Sequence, residues 1–167
     1  MGAKRHRVSR RSFLGSAGLG LVVPPFLANS VFGTDGRRPP SERVVAALIG
    51  CGGRGMGLLP IHDDPGCTVA ALCDVDLQRA AGAQKRIGGG DACQDFRRIL
   101  DRRDIDAVMI ATPDHWHAPI TVMACQAGKD VYCEKPLCRT IGEGRKMVET
   151  ARRYSRVVQM GTQYRSI

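Results

Sequence analysis

Gly50-Cys51-Gly52-Gly53-Arg54-Gly55 has G-x-G-x-x-G spacing and directly follows the apolar run Val44-Val45-Ala46-Ala47-Leu48-Ile49. In such a turn the first glycine permits the tight bend, the second lets another group approach the backbone, and the third lets a helix pack closely. The amides exposed where that helix begins form an anion site that needs no cationic side chain. The diphosphate of a dinucleotide suits it. A glycine string alone also fits a surface turn, so its neighbours decide. A second apolar run ends in Asp74, 19 residues past Gly55, close to the roughly 20 expected of a dinucleotide site. A carboxylate there accepts ribose hydroxyls and repels a 2′-phosphate, which favours NAD; Arg54, within reach of such a phosphate, keeps NADP open. Asp74 or Asp76 could instead cap the helix that opens at Leu77, and Asp76 suits the cap better.

Two further segments carry chemistry. Thr112-Pro113-Asp114-His115-Trp116-His117 follows a later apolar run and reads as a loop lining a ligand cleft, or more plainly as a packed turn with Trp116 covering apolar surface. His115 and His117 would point to opposite sides if extended and have no third ligand, so no metal is expected. Glu134-Lys135-Pro136 follows the next run. The proline restrains the backbone after Lys135, so its ammonium is a candidate for polarising a substrate oxygen or relaying a proton. The plain alternative is an exposed lysine paired with Glu134.

The elements that must position these residues alternate. Apolar strand-like runs fall at 43–49, 68–73, 107–111, 130–133 and 157–160, with a short one near Ala92-Cys93. Helical patterns fall at 55–62, 77–87, 96–102, 119–127 and 141–154. Continuous apolar strands alternating with helices predict a doubly wound parallel sheet covered on both faces. Pro60 should shorten or kink the first helix without harming its first turn.

These motifs, in this order, resemble the N-terminal cofactor domain of the Gfo/Idh/MocA oxidoreductases, the family of glucose–fructose oxidoreductase and inositol dehydrogenase. The likeness rests on the glycine turn, Ala71-Leu72-Cys73-Asp74, Ala111-Thr112-Pro113 with His117, and Glu134-Lys135-Pro136, and spans residues 43–167. It implies a Rossmann fold and NAD(P). Gly50, Gly52, Gly53, Arg54, Gly55 and Asp74 would bind cofactor, with Thr112, Pro113 and His117 on the nicotinamide side and Glu134 and Lys135 beside it. Lys135 would act at the substrate oxygen, and the peptide bond before Pro136 is often cis in the family. Gln163 and Arg165 are weaker cofactor candidates. The implied chemistry is hydride transfer from a sugar or polyol. A branch of the family hydrolyses glycosides by transient NAD oxidation, and a nucleotide-binding fragment without turnover is a third reading. Family members continue into an α+β substrate domain that supplies the proton acceptor and mediates homo-oligomerisation. That domain is expected to be absent from this chain, which would make it a fragment or a truncated gene product, so residues 43–167 alone should bind NAD weakly and oxidise no sugar.

Composition narrows the alternatives. Of the net charge of +9, six units lie in residues 1–43, so no basic face is expected on the folded body, and nucleic-acid binding is set aside. The seven cysteines include no C-x-x-C pair and read as small reduced hydrophobes, with Cys51 beside the expected diphosphate. Ser9-Arg10-Arg11-Ser12-Phe13-Leu14, then a mildly apolar glycine-containing stretch, has the layout of a twin-arginine signal. Residues 1–33 are thus expected to engage the Tat export machinery and deliver a folded protein to the periplasm or cell envelope. Residues 34–42 read as a linker to the domain at 43–167.

Overall fold

The computed structural model describes residues 42–162. The twin-arginine segment, most of the linker, Gln163 and Arg165 lie outside the described residues. Six parallel strands run β1 (Val44–Ile49), β2 (Cys67–Cys73), β3 (Asp91–Cys93), β4 (Ala107–Ile110), β5 (Asp130–Glu134) and β6 (Val158–Gly161). Their order in the sheet is β3-β2-β1-β4-β5-β6, so the chain reverses its direction of winding between β1 and β4. Ligands of doubly wound sheets bind at that reversal, outside the carboxyl ends of the strands.

Alternation along the strands builds a core on each face. Ala47 and Ile49 of β1 join Val108, Ile110 and Val131 under Ile99, Ile120 and Ala124. Ala46 and Leu48 point the other way and join Leu72, Met109, Leu59, Ala80 and Ala83. Two covered faces explain why the strands read as continuous apolar runs rather than as alternating ones.

The helices are α1 (Gly53–Leu58), α2 (Leu77–Ile87), α3 (Arg97–Leu100), α4 (His117–Gln126) and α5 (Ile141–Arg153). Helix α1 stops short of the expected His62 because Pro60 sits at the start of a 3₁₀ turn over Leu59–Asp63. Proline is accepted there, where a missing N–H costs nothing, but not inside an α-helix. Asp76 caps α2 by accepting from the Gln78 N–H, as expected, and Gly88 closes it in the left-handed conformation. Thr140 and Glu143 form a reciprocal capping box at the start of α5. Helix α4 opens at His117, two residues before the expected Pro119, and takes His117 out of the loop. All seven cysteines are unbonded, and five of them are buried.

Candidate functional site

The glycine turn between β1 and α1 lies at the sheet reversal. Gly50 has φ +95, and a Cβ there would come within 2.6 Å of the Ala111 carbonyl oxygen at the end of β4. Only glycine fits both demands. Gly55 packs directly on the Gly50 carbonyl, so α1 has no room for a side chain at that point. Gly52 and Gly53 differ. A Cβ on Gly53 would meet no protein atom within 4 Å, and on Gly52 only an Arg79 nitrogen at 3.9 Å. Packing within the protein does not call for glycine at these two positions. A ligand lying against the backbone does, and the residues present therefore fit a cofactor diphosphate.

Asp74 locks this turn. Its Oδ2 accepts the Cys51 N–H at 2.8 Å and its Oδ1 accepts the Asp76 N–H at 2.9 Å, with the carboxylate 8% exposed. Each oxygen keeps a further lone pair for a ribose hydroxyl. Beside it opens a cleft of about 260 Å³, lined among others by Gly52, Asp74, Arg79, Phe96, Thr112 and Trp116. Thr112 and Pro113 form one wall. The Thr112 Oγ1 is buried without a protein partner. Trp116 packs edge-on to Phe96, with ring centroids 6.2 Å apart.

A second cluster occupies the end of β5. Arg54 turns away from the cleft and pairs with Glu134 at 2.6 Å, its side chain 44% and that of Glu134 3% exposed. Tyr132 donates from its hydroxyl to the same carboxylate at 3.3 Å. Burial works to raise the Glu134 carboxyl, but the bond to Arg54 and its charge outweigh this and hold it below the ordinary value. Glu134 is thus committed to Arg54, and Lys135 makes no ion pair among the described residues. The plain reading of a Glu134–Lys135 pair is overturned. Lys135 is exposed, and the Lys135–Pro136 bond is cis.

The two histidines separate. His115 is exposed. His117 is 2% exposed, with Nδ1 at 2.6 Å from the Pro136 carbonyl oxygen and Nε2 at 2.9 Å from that of Thr112. Its polar atoms reach protein rather than the cleft, so it sits beneath the site. No metal-binding group of three ligands occurs among the described residues. Cys51 is buried, and burial, reinforced by Asp74, pushes its thiol up to about 12.

Most of the expected site residues fall into two groups, with His117 buried beneath them. Gly50, Gly52, Asp74, Thr112 and Pro113 surround the cleft, while Arg54, Glu134 and Lys135 gather at the end of β5. The cation beside Asp74 is Arg79 rather than Arg54: it lies against Gly52 and within 3.6 Å of Asp76. Sequence reasoning missed Arg79, Phe96 and Tyr132. Of these, Arg79 carried a local signal, three residues past the Asp76 cap on the first turn of α2.

The profile of the oxidoreductase family Gfo/Idh/MocA, NAD-binding Rossmann fold, matches residues 44–162. The chain belongs to this family. Inositol 2-dehydrogenase of Rubrobacter xylanophilus is 35% identical over 127 residues, which cover 74% of this chain and 36% of that protein. A glycosyl hydrolase family 109 protein of Saccharopolyspora erythraea is 31% identical over 173 residues, 91% of this chain and 37% of that protein. Among solved structures, a 3-ketoreductase from Actinomadura kijaniata in complex with NADP and TDP-benzene superposes with a TM-score of 0.67 at 27% identity, covering 71% of this chain and 37% of that one. The chain thus spans little more than a third of the length of these Gfo/Idh/MocA relatives. It carries the family's NAD(P)-binding domain.

Proposed function

We propose that this chain is the cofactor domain of an enzyme that oxidises a hydroxyl of a sugar or polyol, with NAD preferred over NADP. One observation carries the reading: Lys135 stands exposed beside a carboxylate that is already neutralised by Arg54. A lysine tied up by Glu134 could not polarise a substrate oxygen; this one can donate to it. Amides of the glycine turn would hold the diphosphate, and the remaining lone pairs of Asp74 the ribose. Bound NAD supplies the hydride acceptor. Asp74 supports NAD, and Arg79 moderates that preference because it could meet a 2′-phosphate. The test is fluorescence titration with NADH and NADPH, followed by turnover of a panel of polyols and sugars by the full-length protein. Lys135→Met should lower turnover by about 10²- to 10⁴-fold; turnover equal to the parent protein refutes the assignment.

A second reading, a glycosidase in which hydride leaves the sugar and returns, has one specific support. The match to the family 109 protein covers 91% of this chain, so it extends into residues 1–41, because residues 42–167 make up only about three quarters. Release of free sugar without net NADH identifies it. The twin-arginine pattern at Arg10-Arg11 supports export of the folded protein by the Tat route. Cofactor is scarce outside the cytoplasm, so an exported enzyme should retain it tightly. Free exchange of cofactor on dialysis of the full-length protein would contradict that.

A further inference from the structure

We propose that His117 is the positioning residue for Lys135, a bridge that fixes the turn carrying the lysine to the opposite wall of the cofactor cleft. The inference rests on the function proposed above. The turn after β4 and the turn after β5 are loops on neighbouring strands, and each presents a backbone carbonyl to the same ring. The ring of His117 lies between them, 2.6 Å from the Pro136 oxygen and 2.9 Å from the Thr112 oxygen. Pro136 directly follows Lys135, and Thr112 lines the cleft. A displacement of either turn must therefore stretch a bond to the same ring.

Three features make this bridge stiff. His117 opens α4, so its backbone is held by a helix whose inner face is buried through Ala118, Ile120, Thr121 and Ala124. The ring is planar and rigid, which fixes the angle between its two contacts. Water does not compete, because the residue is 2% exposed. Both partners are carbonyl oxygens and can only accept, so the ring bonds either of them through the N–H of the nitrogen that faces it. No single amide side chain spans the same gap. Asparagine or glutamine can reach one carbonyl and leaves the other unpaired.

Lys135 also has a tie on its other side, where the Glu134–Arg54 pair connects it to α1 and the glycine turn. The lysine thus stands between one ionic tie to the phosphate-binding turn and one hydrogen-bonded tie to the Thr112 turn. The polar atoms of His117 reach the Pro136 and Thr112 carbonyls, so it acts through the backbone on which Lys135 is mounted. Supporting groups of this kind set whether an acting side chain is held to within a fraction of an ångström.

The test uses the full-length protein with His117→Gln, which can keep one contact, and His117→Phe, which keeps the ring and loses both. Lys135 is read by competitive acetylation with acetic anhydride, quantified by mass spectrometry with and without saturating NAD⁺; cofactor affinity is read by NADH fluorescence. NADH affinity should fall modestly, about threefold, while protection of Lys135 by NAD⁺ falls about tenfold in His117→Phe and less in His117→Gln. Protection that survives in His117→Phe, or falls only in proportion to NADH affinity, overturns the proposal. Should His117→Phe not fold, His117→Gln carries the same comparison. A nitrogen–proton correlation spectrum of the unmodified protein gives an independent reading: a ring N–H protected from exchange with water is expected, and a ring whose N–H exchanges freely overturns the bridge. Failure of the unmodified protein to bind NADH would sink the functional reading instead, and leaves the ring spectrum to decide on His117.

Discussion

The Cys51 N–H donates to the Asp74 carboxylate at 2.8 Å, so the acid at the end of β2 is a structural lock on the glycine turn, besides the ribose-binding role proposed for it. The other carboxylate oxygen accepts from Asp76, and of the two bonds the one to Cys51 is buried. Asp74→Asn keeps one acceptor and turns an amide against a backbone N–H. It should cost about 1–3 kcal/mol in urea unfolding and at least about tenfold in NADH affinity. A variant that loses affinity with unchanged stability would show that Asp74 serves the ligand alone.

The glycines of the turn should divide by cause. Gly50→Ala meets both a positive φ and the Ala111 carbonyl, and is expected to lose about 3 kcal/mol or more, or to fail to fold. Gly52→Ala meets nothing nearer than 3.9 Å and has φ −72, so its stability should stay within about 1 kcal/mol of the parent. NADH binding by Gly52→Ala should nonetheless fall at least about tenfold. Equal loss of stability in the two variants, or retained binding in Gly52→Ala, contradicts a ligand pressed against the Gly52 backbone.

Much of this was legible in the sequence because it depends on local rules. Strand ends fell within one or two residues of their expected places because glycine, proline and aspartate punctuate the apolar runs, and α2 matched from Leu77 to Ile87 because its cap and its terminating glycine are both local. What failed concerns where long or central side chains go. Arg54 was read towards a 2′-phosphate, but its guanidinium crosses to Glu134, 80 positions later. His117 was read as part of a cleft-lining loop, but its ring turns inward between the carbonyl of Thr112 in the same loop and that of Pro136 after the next strand. No periodicity encodes such choices, since they follow from which strands become neighbours.

Cys51 should be chemically quiet despite its place in the turn. Its thiol is pushed up to about 12, chiefly by burial and then by Asp74, so at neutral pH it carries almost no thiolate. Iodoacetamide at pH 8 should label the half-buried Cys138 well before Cys51 in the folded protein. In urea both should react. Labelling of Cys51 at the rate of Cys138 in the native state would show that the turn opens far more readily than its lock implies.

The Arg54–Glu134 pair predicts a stability difference that depends on pH in a defined direction. The folded carboxyl lies below the ordinary glutamate value of 4.5, so the pair stabilises the fold above that value and ceases to do so as pH falls through the lower, folded one. Removing the cation leaves Glu134, 3% exposed, with Tyr132 as its remaining side-chain donor. Because Arg54 is itself 44% exposed and screened by solvent, the loss in Arg54→Ala at pH 7 should be about 1–2 kcal/mol rather than the 3–5 of a fully buried pair. Glu134→Gln keeps an acceptor for Tyr132 and leaves no buried charge behind, so it should cost less than Arg54→Ala. On acidification Glu134 in Arg54→Ala becomes neutral before its counterpart in the parent protein, and the deficit should shrink as pH drops below the carboxylate range. Urea unfolding of the three proteins at pH 7 and pH 4 measures this. A deficit that is the same at both values would mean that Arg54 contributes through packing of its stem and not through its charge.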